Sequence, residues 1–268
     1  MEDNLFPPED GILNQYRVAQ CQVDQNVRID VVDQLDPTEG QQIYLGEGEK
    51  VFLDGDAQIR YEGVSGSTQE GAYLRIFRNG SDSRVQIRQE SGRRVNSSAV
   101  LTAMELEHQI ARFGGFLLHA AYICHNGEAI LFTAPSETGK STQAELWCRL
   151  RGAELVNGDR AAVMTVGGEI LACGVPYAGL SGVRNNRTMP LKAIVRLSQA
   201  KKTTISKLSG IAAFRSVWEG CCVNVWDQED VRSSMDTVIQ TVQQIPVYHL
   251  ACTPDESAVL ALENCLNK

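Results

Sequence analysis

The run Ala134-Pro135-Ser136-Glu137-Thr138-Gly139-Lys140-Ser141 has the spacing of a phosphate-holding loop, with alanine where the first glycine usually stands. Each residue type has its use. Backbone N–H groups of Ser136, Glu137, Thr138, Gly139, Lys140, Ser141 and Thr142 can curl around phosphate oxygens at a helix N-terminus, where unpaired amides and the helix dipole favour an anion. Gly139 lets the main chain approach closely, Lys140 can reach terminal phosphates, and the Ser141 hydroxyl is a ligand for Mg²⁺. The flanks agree with this reading: the apolar AILF at 129–132 reads as a strand and KSTQAELWCRLRG at 140–152 as a helix.

Further candidates lie on both sides. After the short strand AELV comes Asn157-Gly158-Asp159-Arg160, and a strand leaving the helix could return Asp159 beside Ser141, where its carboxylate would join an Mg²⁺ shell. The plainer reading is a turn aspartate bonded to its own backbone. His119 sits inside the apolar FLLHAAYIC at 116–124, the usual place of a core histidine, yet an imidazole there is suited to proton handling. Arg184 and Arg187 lie in a Gly/Asn-rich loop that opens at Ser181-Gly182. They could neutralise charge on a transferring phosphoryl group, or simply be solvated, and Arg160 and Lys192 belong with them. His108, His125 and His249 read as structural or surface residues, and Trp218 and Trp226 as core or interface.

The elements that must position these groups fall into two parts. Residues 1–95 alternate apolar and polar residues in short runs (RVAQCQV, RIDVV, QQIYL, KVFLDG, AQIRYEG, AYLRIFRNG, RVQIRQ) broken by turn formers, and Asn79-Gly80 signals a hairpin. This predicts a small antiparallel β-rich accessory domain. A linking helix is expected over 96–115, with Asn96, Ser97 or Ser98 as its cap and Gly114-Gly115 as its stop. Residues 96–268 then mix strands and helices: FLLHAAYIC and AILFTA joined by the hairpin signal His125-Asn126-Gly127, the loop and its helix, AELV, AAVMTV and EILACG. Beyond these come LKAIVRL, helices near 208–218 and 229–243, PVYHLAC, and a last helix capped by Thr253 or Asp255. The fold class is α/β with a mixed sheet. Because the hairpin sets the loop strand antiparallel to its predecessor, this differs from the common phosphate-loop enzymes, where the loop follows a parallel strand.

Composition narrows the partners. The chain has 268 residues, 43% hydrophobic, and a net charge of −8, which disfavours a broad basic face for nucleic acid. No apolar run approaches the ~20 residues of a membrane span, and the N-terminus MEDNLFPPEDG does not read as a signal peptide. The eight cysteines include no Cys-x-x-Cys pair and suit reduced core thiols, so a cytoplasmic setting is expected.

The residues LLHAAYICHNGEAILFTAPSETGKST and GAELVNGDRAAV resemble the HPr kinase/phosphorylase and PEP carboxykinase superfamily over about 115–165, and more loosely over the rest of the C-terminal half. SGVRNNRTMPLKAIVRL is also similar to HPr-kinase-related proteins found beside peptide-modifying enzymes. The resemblance implies an ATP- and Mg²⁺-dependent kinase transferring a γ-phosphoryl group to a Ser-like hydroxyl of a peptide, protein or small metabolite. In that family a strand histidine, the loop and an Asp-Asp pair form the site; His119, residues 134–142 and Asp159 match them, and Gly158 stands where the first aspartate, the base toward the acceptor, is expected. Asp159 would then bind metal and take the proton, or His119 would help, or little base is needed. Loss of that aspartate also leaves open a second class, a nucleotide-binding sensor or scaffold without turnover. The N-terminal part shows no match, so HPr is not implied as substrate. The acceptor, the donor among ATP, GTP and pyrophosphate, and the oligomeric state, a homo-oligomer included, are not fixed by the sequence.

Overall fold

The computed structural model describes residues 14–16, 26–64, 71–80, 82–89, 101–179 and 181–267. The chain forms two compact units, Met1–Leu106 and Glu107–Lys268.

The first unit is a six-stranded sheet of β1 (Asn26–Val32), β2 (Gln41–Leu45), β3 (Glu49–Asp54), β4 (Ala57–Glu62), β5 (Leu74–Asn79) and β6 (Asp82–Arg88), in the order β1-β6-β5-β4-β3-β2. Strict alternation of buried and half-exposed residues along β4, β5 and β6 gives each strand a core face. Leu74, Ile76, Val85 and Ile87 form one cluster, Ile59, Tyr61, Val64 and Ala72 another. The Asn79-Gly80 signal makes a hairpin, with Asn79 opposite Asp82. One pairing departs from the antiparallel expectation: β1 runs parallel to β6 along its whole length. The run RVAQCQV and the candidate caps at 96–98 lie outside the described residues. The linking helix expected over 96–115 is interrupted. Residues 101–103 are helical, Glu105 takes φ 45°, and α1 (Leu106–Arg112) begins after it. Ala103 packs into the cluster of Leu74 and Val85, which ties that first turn to the six-stranded sheet.

The second unit contains β7 (Gly115–His125), β8 (Glu128–Thr133), α2 (Lys140–Arg151), β9 (Glu154–Asn157), β10 (Arg160–Val166), β11 (Glu169–Gly174) and β12 (Thr188–Gln199). They are followed by β13 (Thr204–Leu208), α3 (Gly210–Trp218), β14 (Cys221–Cys222), α4 (Gln228–Gln244), β15 (Val247–Cys252) and α5 (Glu256–Leu266). The two long strands each serve different neighbours in succession. The first half of β7 pairs with β10 and the second half with β8 and β9; the start of β12 pairs with β11, and the remainder with β8 and β15. Both strands need apolar residues on each face, which is why β7 reads as an almost unbroken hydrophobic run. On one face, Leu118, Leu131, Ile194 and Val247 pack beneath Ala213 and Val217 of α3 and Val238 of α4. On the other, Ile123, Phe132, Val195 and Leu250 pack against Ala144 and Trp147 of α2 and Val259 of α5.

The β7–β8 reversal is made by Asn126 (φ 52°) and Gly127 (φ 79°), the two positive dihedrals that a two-residue hairpin of this hand requires. The strands are therefore antiparallel, while β12 runs parallel to β8 on its other side. Asp255, rather than Thr253, caps α5 by accepting from Ser257 N. The seven described cysteines are free. Among the described residues, no helix is long and apolar enough to cross a membrane.

Candidate functional site

The loop leaves the end of β8 at Ala134 and enters α2 at Lys140, with β8 and β12 parallel beneath it. Glu137 (φ 62°) and Gly139 (φ 106°) turn the chain into the helix. Gly139 holds the N-cap without a side-chain cap, so the first-turn amides of α2 are left to whatever anion occupies the loop. Lys140 is buried, and its ammonium donates to the carbonyls of Ala134 (3.1 Å) and Pro135 (3.3 Å), folding across the loop from inside. Burial, with a contribution from Arg196, pushes its pKa down, while Asp159 acts against the shift. A cation held by two neutral carbonyls is ready to exchange them for phosphate oxygens. Ser136, Glu137, Ser141 and Thr142 are exposed, Thr138 and Gly139 half-buried.

Asp159 is placed by Asn157, a residue the sequence reading did not single out. Asn157 is fully buried at the end of β9. Its Oδ1 accepts from the amides of Asp159 (2.8 Å) and Arg160 (3.0 Å), and its Nδ2 donates to the carbonyls of Val175 (3.0 Å) and Tyr177 (2.8 Å). Two donors on one side and two acceptors on the other fix the amide's orientation. The turn then returns to β7, with Asp159 O accepting from Ala120 N at 2.9 Å. This sets the Asp159 carboxylate 3.5 Å from His119 Nε2 and 3.4 Å from Arg160 Nε. Arg160 stands opposite His119 in the β7–β10 register. It is braced by Glu107 Oε1 at 3.2 Å and lies 4.5 Å over the Tyr177 ring. His119 titrates below its ordinary value, chiefly through burial and then through the Lys140 and Arg160 charges, with Asp159 opposing. Its imidazole is therefore neutral at pH 7 and able to accept a proton.

Gly158 lies against Ser181. A Cβ there would run into the Ser181 hydroxyl, and one at Gly179 would lie 3.1 Å from Asp159 Oδ1. Gly179 and Ser181 thus lie close against the Gly158-Asp159 turn. The two arginines that follow are placed differently: Arg184 forms a β-bridge with Asn157, whereas Arg187 donates to Glu154 Oε2 at 2.6 Å. Lys192 pairs with Glu128.

His119, Lys140 and Asp159 therefore share one electrostatic neighbourhood. Ser141 and Asp159 would give Mg²⁺ one hydroxyl and one carboxylate, a sparse protein set of the kind this ion completes with phosphate oxygens and water. The other cluster of ligand types, His108, Asp227 and Asp230, is internally satisfied. His108 Nδ1 lies 2.7 Å from Asp230 Oδ1, Asn224 donates to Asp230 Oδ2, and Asp227 caps α4 through the amides of Glu229 and Asp230. His125 lies edge-on to Trp147, and Phe214 stacks on Trp218.

Besides Asn157, sequence reasoning missed Glu107 and Arg196. For Asn157 the signal was present, since Asn-Gly-Asp combines a turn former with a short side chain that can bond its own backbone. For the other two no sequence signal exists, because their partners are distant in the chain.

Fold and site define an α/β protein of mixed sheets with a glycine–lysine loop between a strand and a helix. The chain belongs to the SynChlorMet cassette protein ScmC family, whose model matches residues 93–257. Comparison with curated proteins gives no match. Among solved structures it is similar to the Hpr(Ser) kinase/phosphatase from Coxiella burnetii, with 13% identity and a TM-score of 0.34 over 56% of this chain and 89% of that one.

Proposed function

We propose that the second unit transfers the γ-phosphoryl group of ATP, with Mg²⁺, to a hydroxyl of a peptide, protein or small metabolite. The observation that carries this reading is the half-buried pair of His119 and Asp159, whose charges interact with the buried Lys140 of an uncapped loop. The motif resemblance around residues 115–165 supports it.

Bound MgATP would supply an electrophilic phosphorus and a metal to draw off charge from its oxygens. The amides of residues 136–142 hold the phosphates, and Lys140 leaves the Ala134 and Pro135 carbonyls to neutralise them. Ser141 and Asp159 hold the metal. His119, steadied by Asp159, takes the acceptor hydroxyl's proton, and Arg160 keeps Asp159 from swinging away. Arg184, bridged to Asn157, closes over the phosphates, while Arg187 is held by Glu154 at the opposite end of β9. The test is label transfer from γ-labelled ATP to candidate hydroxyl peptides and metabolites. Asp159→Asn and His119→Gln are expected to lower the rate by about 10²-fold or more; unchanged rates in both would refute the assignment.

One observation favours a second reading, a nucleotide-binding sensor. Gly158 stands where a hydroxyl kinase of this kind is expected to carry a second carboxylate, and the Ser181 hydroxyl would have to turn aside for any side chain there. Tight Mg²⁺-dependent ATP binding with no transfer to any acceptor or to water would select it.

A further inference from the structure

Two neighbouring rows across the second unit's sheet differ in kind. Leu131, Ile194, Val247 and Leu208 are register partners on β8, β12, β15 and β13, and all four belong to the core beneath α3 and α4. Two residues further along each strand, the same face carries Thr133, Arg196, His249 and Ser206, again register partners. The change from apolar to polar falls where α3 ends, at Trp218, with Glu219 as its C-cap.

The polar row begins under the loop. Thr133 directly precedes Ala134, and its hydroxyl donates to the His119 carbonyl at 3.0 Å. Arg196, one strand over, is 17% exposed, while the Glu219 carboxylate it meets at 2.8 Å is 59% exposed. The cation is thus mostly covered and its counter-ion stands in solvent. Ser198, on the same face of β12, has its hydroxyl 2.9 Å from His249 Nε2. Strand spacing of about 4.8 Å sets Arg196 about 5 Å and His249 about 10 Å from the loop strand. The charge of Arg196 reaches the loop, since it helps depress Lys140. Guanidinium, imidazole and hydroxyl together are the donor set of an oxyanion site, and an exposed glutamate is a partner such an anion can displace.

We propose that Arg196, Ser198 and His249 form a second oxyanion subsite, beside the phosphate loop, that holds a carboxylate or phosphate of the acceptor in place of Glu219. The word acceptor rests on the transfer reading above; the anion site itself does not.

The test titrates inorganic phosphate and, separately, malonate into wild type, Lys140→Ala, Arg196→Gln and Glu219→Gln, following the His249 ring resonances identified from His249→Gln. MgATP binding is measured on the same proteins. His249 should respond equally in wild type and Lys140→Ala. Its apparent Kd should weaken about tenfold or more in Arg196→Gln and tighten about three- to tenfold in Glu219→Gln. The probe with the lower Kd identifies phosphate or carboxylate as the group held. A purely structural Arg196–Glu219 pair gives no tightening in Glu219→Gln, and that result, or a His249 unmoved by both probes, overturns the proposal even if Arg196→Gln does not fold. A responding His249 in a protein that fails to bind MgATP leaves the subsite standing and removes the kinase reading; MgATP binding with a silent His249 does the reverse.

Discussion

Replacing Asn157 with alanine should do more damage than any other single change near the site. The substitution removes four hydrogen bonds at once and leaves the amides of Asp159 and Arg160 and the carbonyls of Val175 and Tyr177 without partners beside a fully buried position. An orphaned buried polar group costs about 1–3 kcal/mol, so four of them set a ceiling of roughly 4–12 kcal/mol. Water entering the space left by the side chain brings the expected loss to about 3–5 kcal/mol. For a unit of this size that is a fall in Tm of roughly 6–20 °C. All three tryptophans, Trp147, Trp218 and Trp226, lie in the second unit, so urea unfolding followed by tryptophan fluorescence reports on that unit alone. Asn157→Asp is a sharper probe. It keeps the acceptor for the two amides but turns a carboxylate oxygen toward two carbonyls, and it should be destabilised despite its equal size. Loss of under about 1 kcal/mol in Asn157→Ala, or wild-type stability in Asn157→Asp, would refute the role given to this side chain.

Gly158→Ala should cost about 1–3 kcal/mol by overpacking against Ser181, and Ser181→Gly should recover most of it; additive losses in the double variant would show that the two do not touch. His119 binds its proton less readily in the folded than in the unfolded chain, so the unfolded state holds more protons just below the ordinary histidine pKa of about 6.5. Stability is full above that value and erodes as pH falls from about 6.5 toward the lower folded pKa. Urea unfolding between pH 7 and 5 should therefore show a steeper loss in wild type than in His119→Gln, and parallel curves would contradict the assigned direction. Deleting residues 1–106 should leave MgATP binding by the second unit within about threefold while lowering transfer to a macromolecular acceptor, if the first unit recognises that acceptor; binding lost with the deletion would show the second unit is not self-sufficient.

Local rules carried much of the fold. Asn126-Gly127 announced its hairpin because both residues take the positive φ that a two-residue turn of that hand needs, and at the β5–β6 hairpin Gly80 does so. The apolar run before the loop and the helix formers after it placed Ala134–Lys140 between β8 and α2. Short or half-polar elements escaped: β13, TISKL, carries Ser206 and Lys207 in mid-strand, and β14 has two residues. The parallel partner of β1 also escaped, since pairing direction depends on chain routing rather than on the strand's own pattern. At the site, His119 and Asp159 lie 40 positions apart and meet only because β10 pairs back onto β7. Register across β12 and β15 likewise brings Arg196 and His249 into one row, which no local pattern announces. Gly158 read as standing where an aspartate is expected, and its contact with Ser181 could not be read from the sequence.

The central claim is that the loop at 134–140 holds the phosphates of a nucleotide, and thermal unfolding of wild type and Lys140→Ala, with and without Mg²⁺ plus ATP, GTP or pyrophosphate, tests it most directly. A ligand at 100 times its Kd adds about 2.7 kcal/mol, a rise of roughly 5–11 °C for a unit of this size. The expected result is a Mg²⁺-dependent rise with ATP in wild type and little or none in Lys140→Ala. No rise with any of the three donors in wild type, or an equal rise in both proteins, would contradict the claim.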